Sequence, residues 1–281
     1  MIIWLASYPK SGNTWMRTII AALLFSEDGE FNFSILGKIP QFPKKEVFKD
    51  LVKDFSNFNE IKKNWINAQD KINVDGKIKL FKTHQGKYTV EGDSFTNKHN
   101  TLATIYIVRD PRNLVNSISN HYTKSLDDSC KFLLEPKIIG NGKSIKEKKG
   151  GIYTLLGKWN EHYRSWTTNK NDLLLIKYED LIKNPRVELE RTINFLKKYL
   201  IFETNENKIN KILETTSFDN LKKLENEGQF TENAQNKNDG SKVNFFHLGP
   251  KNLWQKNLDK KIISKIEKNF IKEMKELGYL I

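Results

Sequence analysis

A chain of 281 residues, 38% of them hydrophobic and 11% aromatic, is long enough to bury a substantial core and suits a single α/β domain spanning residues 1–281. With 29% charged residues and a mean hydropathy of -0.61, it is not a bundle of membrane helices, and no membrane association is expected. The net charge of +13 attracts polyanions in general, but only 6 of the 47 basic residues are Arg, the side chain suited to bidentate phosphate and base recognition, so the Lys excess reads as solvated surface rather than a nucleic-acid interface.

Residues 2–6 form a short apolar run, and Trp15, Met16, Ile19, Ile20, Leu23 and Leu24 follow at helical spacing, which predicts strand, loop and helix. This stretch does not read as a leader, because Pro9, Lys10 and Arg17 interrupt it and no small-residue cleavage site follows; the mature chain is expected to start at Met1. Residues 77–83 predict a second strand, and the nearly continuous apolar run at 102–108 a third, covered on both faces. Asp110-Pro111 starts a helix through Leu114, Ile118 and Tyr122, with Pro near its first position. A single cysteine, Cys130, makes no intrachain disulfide; this fits a reducing cytoplasm, and the thiol is expected to be inert.

Residues 152–166 read as a helix, 173–178 as a fourth strand, and 187–200 and 209–224 as further helices. The alternation predicts an α/β fold: a central parallel sheet flanked by helices, with a P-loop-like strand-loop-helix at its start and ligands beyond the carboxyl ends of the strands. Three polar clusters, residues 8–14, 82–84 and 109–112, fall on that edge. Residues 135–151, with four glycines among many lysines, and the almost wholly polar 225–243 are expected as long irregular loops of the kind that form lids or binding loops.

Ser7-Tyr8-Pro9-Lys10-Ser11-Gly12-Asn13-Thr14-Trp15 lies between the first strand and the first helix, so backbone N–H groups and a helix N-terminus face whatever the loop holds. An anion suits them. Lys10 adds a point charge, and Ser11, Asn13 and Thr14 add donors. A Walker A loop requires two glycines with Lys and Ser or Thr directly after the second, whereas Gly12 is followed by Asn13. At the end of the third strand, Arg109 offers a planar fork of donors, and Ser117 on the following helix a shorter one. The pair suits a second anion, and a salt-bridging strand terminus suits the same Arg. Lys82-Thr83-His84 closes the second strand; an imidazole titrating near pH ~6.5 can take a proton from a hydroxyl or amine nucleophile at neutral pH. No carboxylate or His/Cys set has metal-ligand spacing, so no metal is expected.

The first loop resembles Tyr-Pro-Lys-Ser-Gly-Thr-Thr-Trp of the sulfotransferases that use 3′-phosphoadenosine 5′-phosphosulfate (PAPS), with Asn13 in place of one Thr. The resemblance implies that Lys10 contacts the oxygen bridging phosphate and sulfate, that Ser11, Gly12, Asn13 and Thr14 hold the 5′-phosphate, and that Trp15 stacks on adenine. It assigns the 3′-phosphate to Arg109 and Ser117. Lys82-Thr83-His84 matches the family's Lys-Thr-His, in which the His is the base and the Lys stabilises the transferring group. Tyr178 stands where a family Tyr approaches the cosubstrate, and Thr216-Ser217-Phe218 where Thr216 and Phe218 contact adenine. Capping acids after a strand-end Tyr, and a Ser cap with a core Phe, suit the same residues. Near the end the family carries Arg-Lys-Gly, then a Trp five residues after the Gly. Here Gly249 and Trp254 are kept but Phe246-His247-Leu248 supplies neither Arg nor Lys, leaving Lys242, Lys251 or His247 as substitutes.

The implied activity is in-line sulfuryl transfer from PAPS to a hydroxyl or amine of a small-molecule or glycan acceptor, in the cytoplasm. The pattern identifies neither the acceptor nor the oligomeric state. Two readings from other classes stand beside it: a P-loop small-molecule kinase, which needs Mg²⁺ and a γ-phosphate clamp, and a non-catalytic binder of polyanions through the Lys excess.

Overall fold

Eleven elements carry the argument, and they follow one another as β1 (Ile2–Ser7), α1 (Asn13–Phe25), β2 (Lys79–Thr83), β3 (Thr101–Val108), α2 (Pro111–Tyr122), α3 (Trp159–Thr167), β4 (Leu173–Lys177), α4 (Tyr178–Lys183), α5 (Glu206–Thr215), α6 (Phe218–Asn226) and α7 (Lys260–Glu276). The computed structural model describes residues 1–140, 151–170, 172–232, 234–235 and 240–280. The four strands form the expected central parallel sheet in the order β2-β1-β3-β4. β1 is buried along its whole length, and it pairs in parallel with β2 and β3 in a register that matches Ala6 with Thr83 and Ser7 with Ile107. The carboxyl ends of these three strands therefore share one edge. Outside β2, Lys82 receives the Phe42 N–H at 2.8 Å and donates to the Pro40 carbonyl at 2.9 Å, so the main chain of Lys82 is fixed on its outer side as well.

Two compact units divide the chain. The first comprises Met1–Tyr8, Ile39–Ile107 and Pro136–Leu175 and holds most of the sheet. Its core is aromatic: the fully buried Trp4 packs against Phe42, Phe81, Phe95 and Trp166 at centroid distances of 5.4 to 6.3 Å. The second comprises Pro9–Lys38, Val108–Glu135 and Ile176–Ile281 and is mostly helical. Local chemistry starts its helices. The Asp110 carboxylate accepts the Arg112 N–H at 2.9 Å ahead of α2, with Pro111 at the first helical position, and Asp259 accepts the Ile262 N–H at 2.8 Å ahead of α7.

Several boundaries differ from the sequence reading. Residues 152–166 are not one helix: Thr154–Gly157 is a strand paired antiparallel with Lys137–Ile139, and α3 begins only at Trp159. Gly157 makes the turn between them at a φ of 66°, with the Tyr88 hydroxyl 2.3 Å from where a Cβ would stand, so no larger residue fits there. The expected loop 135–151 thus opens with a strand; residues 141–150 lie outside the described residues. Residues 209–224 divide at Thr216-Ser217 into α5 and α6 because the Ser217 hydroxyl accepts the Asn220 N–H and caps a new helix. Tyr178 opens α4 rather than closing β4. In the polar stretch 225–243, Ala234–Gln235 pairs antiparallel with Lys242–Val243, and residues 233 and 236–239 lie outside the described residues. Among the described residues, no helix is long and apolar enough to cross a membrane.

Candidate anion-binding loop and candidate base

In the second unit the chain enters α1 through two left-handed residues, Lys10 at φ 67° and Gly12 at φ 101°. Gly12 is required on two counts. Its backbone lies where L side chains rarely go, and a Cβ would stand 2.5 Å from the Tyr178 ring. The amides of the first turn of α1 lack intrahelical acceptors and sit at the positive end of the helix dipole. Ser11 is fully buried, and its hydroxyl has no hydrogen-bond partner among the described residues.

Arg109, which follows β3, is 5% exposed. One of its Nη atoms donates to the Lys10 carbonyl at 3.1 Å, while its Nε has no partner among the described residues. Its guanidinium lies 4.1 Å over the Tyr178 ring, the same ring that fills the space against Gly12. Tyr178 is thus a shelf that holds Arg109 against the loop, rather than only a strand-end residue. Trp15 donates its indole N–H to the Thr216 carbonyl at 2.8 Å and meets Tyr178 and Phe218 edge-on. The Thr216 hydroxyl is engaged with the Ile212 carbonyl at 2.6 Å, so this residue acts on Trp15 through its main chain. Gly249, at φ 51°, lies against the Phe218 ring, where a Cβ would come within 2.2 Å. The second unit therefore gathers Lys10, Gly12, Trp15, Arg109, Tyr178, Thr216, Phe218 and Gly249; Ser117 stands half-buried on α2.

Arg112 is structural. It binds Asp110 at 2.7 Å, Glu267 at 2.5 Å and the Tyr279 carbonyl at 2.8 Å, and stacks 3.9 Å over Trp254. Beside it, Glu179 accepts the Asp110 N–H and the Tyr279 hydroxyl, and burial pushes its carboxyl above the usual carboxylate range against the opposing pull of Arg109.

Just ahead of Phe246-His247-Leu248, which stands where the family has Arg-Lys, Phe245 lies with its ring centroid 3.5 Å from Lys10 Nζ. The Phe245 and Phe246 amides both donate to the Glu225 carboxylate, at 2.6 and 2.8 Å, and Lys242 Nζ donates to the Glu225 carbonyl. Burial, and then the charges of Lys222 and Lys10, hold the His247 imidazole below its ordinary range. Lys222 Nζ donates to the His247 carbonyl at 3.2 Å, so Lys222, which carries no sequence signature, joins Lys10 in this positive cluster. Unpartnered buried donors, helix-end amides and clustered cations together fit a phosphate-bearing ligand.

The first unit holds Lys82, Thr83 and His84. Lys82 is 8% exposed, and the Thr83 hydroxyl accepts the Gln85 N–H. His84 Nδ1 lies 2.8 Å from the Ser7 carbonyl, which only accepts; Nδ1 therefore carries the ring proton and Nε2 is left with its lone pair. Behind it, His162 Nε2 is 3.0 Å from the His84 carbonyl, and the Tyr106 hydroxyl is 2.9 Å from His162 Nδ1. Neither His162 nor Tyr106 stood out in the sequence. His162 looked like any inner residue of a helix, and its key acceptor is a backbone carbonyl.

Burial pushes His162 down to about 4 from the ordinary 6.5, so the fold holds it neutral. Its contribution to stability is complete above pH 6.5, where the unfolded chain is neutral too, and is lost as pH falls from 6.5 through about 4. The full loss is about 3 kcal/mol at ~1.4 kcal/mol per pH unit. Urea unfolding at pH 7 and pH 4.5 checks this: His162→Gln, which does not titrate, is expected to lose this part of the pH dependence.

A family model described as "Sulfotransferase domain" matches residues 2–278. The chain belongs to the sulfotransferase domain family. Sulfotransferase 1 family member D1 of Mus musculus is 24% identical over 98% of this chain and 83% of its own length. Among solved structures, mouse sulfotransferase SULT7A1 complexed with PAP shares 22% identity at a TM-score of 0.58, covering 97% of this chain and 84% of the other. Retinol dehydratase in a complex with retinol and PAP shares 18% at 0.62, covering 98% and 81%. The family fold is thus the fold of this chain. Among the described residues, no group of three or more His, Cys, Asp and Glu is placed to hold a metal ion.

Proposed function

We propose that this chain is a cytoplasmic sulfotransferase that takes a sulfuryl group from PAPS and passes it to a hydroxyl or amine of a small-molecule or glycan acceptor. The observation that carries this reading is the pair of buried donors, Ser11 Oγ and Arg109 Nε, which have no partner among the described residues and stand where Gly12 turns the chain into a helix N-terminus. Phosphate oxygens satisfy both. PAP in two solved relatives supports the same nucleotide, and one family model across residues 2–278 supports reading both units as parts of a single catalytic domain.

When bound, PAPS supplies the activated sulfuryl group. His84 takes the acceptor's proton on Nε2, the nitrogen that the Ser7 carbonyl leaves bare. Lys10 and Lys82 neutralise charge on the transferring group and the leaving phosphate, so that positioning and electrostatics supply most of the rate. Ser11, Gly12, Asn13 and Thr14 hold the 5′-phosphate, Arg109 with Ser117 the 3′-phosphate, and Lys222, held at the His247 carbonyl, supplies positive potential that the missing Arg-Lys pair would have given. Trp15, Tyr178 and Phe218 serve the adenosine side, with Thr216 fixing Trp15, and the main chain at Gly249 offers N–H groups to the 3′-phosphate. The kinase reading needs a strand-end carboxylate for Mg²⁺; Asp110, at that position, is held by Arg112 and caps α2.

The test is a thermal-shift titration with 3′-phosphoadenosine 5′-phosphate beside ADP and ATP-Mg²⁺, on wild type and Arg109→Ala. Stabilisation is expected to select the 3′-phosphorylated nucleotide and to vanish in Arg109→Ala. Preference for ATP-Mg²⁺ promotes the kinase, and no response to any nucleotide promotes the polyanion binder.

A further inference from the structure

Three hydrogen bonds in the first unit run in series from a buried phenol to the candidate base, and acceptor chemistry fixes the proton in each. The His84 carbonyl only accepts, so His162 Nε2 at 3.0 Å donates to it. A neutral imidazole with its proton on Nε2 has a bare Nδ1, so the Tyr106 hydroxyl at 2.9 Å donates there. His84 Nδ1 donates in turn to the Ser7 carbonyl. Both His162 and Tyr106 are buried, at 0% and 1% exposure. The groups facing His162 are aromatic or neutral: the Tyr8 ring stands edge-on at 5.5 Å and the Tyr106 ring tilted at 5.8 Å, with Tyr88 and Tyr163 bearing on Tyr106 behind it.

We propose that His162 is a positioning residue of the sulfuryl transfer: its Nε2–H clamps the main-chain carbonyl of His84, Tyr106 holds His162 in the tautomer that can do so, and the Ser7 carbonyl then sets the His84 ring with Nε2 bare. This rests on the reading of His84 as the base. The series does not relay protons, since a carbonyl has none to pass on. The proton taken from the acceptor stays on His84 Nε2 until it leaves by the same nitrogen, and the imidazolium keeps its Nδ1–H bond to Ser7 meanwhile. His84 sits one residue past the end of β2, and the side-chain donor behind its carbonyl fixes the peptide group there. Burial holds His162 neutral, which keeps one of its nitrogens an acceptor for Tyr106 at every pH at which His84 works.

The experiment compares His162→Gln, His162→Leu and the double variant Tyr106→Phe with His162→Leu. Gln keeps an N–H for the His84 carbonyl and an oxygen for Tyr106. Leu removes both and leaves the Tyr106 O–H donor and a buried carbonyl without these partners, while the Tyr106 oxygen still accepts from the Tyr8 main chain. The double variant removes the stranded O–H and, with it, the Tyr8 N–H contact to the same oxygen, so it is expected to recover part of the lost stability while the His84 carbonyl stays unclamped. The readout is ¹⁵N NMR of the imidazoles, which reports the His84 tautomer and titration midpoint without an acceptor, together with turnover using PAPS and a panel of phenols and amines.

In wild type and His162→Gln, neutral His84 is expected in the Nδ1–H form. In the double variant it drifts toward the Nε2–H form that a free histidine side chain prefers, with a shifted midpoint and turnover down roughly 10- to 100-fold. A double variant that is stable yet leaves the His84 tautomer, midpoint and turnover unchanged overturns the proposal, because a purely structural role predicts that pattern. Should His84→Asn retain turnover while the tautomer responds as described, the reading of His84 as base has failed and the clamp has not.

Discussion

His84→Asn lowers turnover at least ~100-fold while the melting temperature moves only a few degrees. Asparagine is the informative replacement because its amide N–H can follow Nδ1 in donating to the Ser7 carbonyl, so the contact that orients residue 84 survives and only the bare Nε2 is lost. Without it, nothing takes the proton as the acceptor oxygen or nitrogen attacks. Lys10→Ala produces a loss of similar size for a different reason, removal of positive charge from the transferring group. The two losses separate by pH: raising pH partly restores His84→Asn with an acidic phenol, which ionises unaided, and does nothing for Lys10→Ala. Single-turnover rates with PAPS across pH 6 to 9 give the comparison, and wild-type rates in His84→Asn remove it from the reaction.

Gly12→Ala abolishes selective nucleotide binding and destabilises the second unit by about 2–4 kcal/mol. The backbone at φ 101° strains any L side chain, and the added methyl stands 2.5 Å from a Tyr178 ring atom. Relief requires Tyr178 to move, yet its ring carries the Arg109 guanidinium at 4.1 Å, so the clash at Gly12 travels to Arg109. Tyr178→Leu in the Gly12→Ala background makes room for the methyl without easing the backbone. It is therefore expected to return part of the stability and little of the discrimination between PAP and ADP. Urea unfolding and the same nucleotide titration, run as a double-mutant cycle, measure both. Additive effects of the two substitutions would show that Gly12 and Tyr178 are not coupled through contact.

The sequence was most informative where chemistry is local. The strand, phosphate loop and helix at residues 2–25 could be read because a buried run, a helical period and a distinctive polar loop adjoin one another, and α2 because Asp110-Pro111 is both cap and first turn. Residues 154–157 escaped because four apolar residues fit a helix as well as a strand, and what decides is pairing with Lys137–Ile139, a non-local event. Thr216-Ser217-Phe218 suited a Ser cap as well as a ligand contact, and the cap at Ser217 is what divides the helical period of 209–224. Lys222 and the Tyr106–His162 pair escaped for another reason: their partners are backbone carbonyls, which every residue has, so nothing in the amino-acid types distinguishes them.

That the Ser7 contact to His84 is made by a main-chain oxygen changes what a mutational scan of this protein can reveal. Every substitution at position 7 keeps the carbonyl and loses only the longer contact of the Ser7 hydroxyl, 3.3 Å from Nδ1, so a library scored for activity will report tolerance there set mainly by the space around a fully buried strand residue, with small side chains passing and large ones failing. Such a map would mark position 7 chiefly as packing. A change to the backbone, such as an ester in place of the peptide bond between residues 7 and 8, would weaken the acceptor while every side chain stays, and so isolate the share of the His84 orientation that is written into the strand from the shares of the Ser7 hydroxyl and His162.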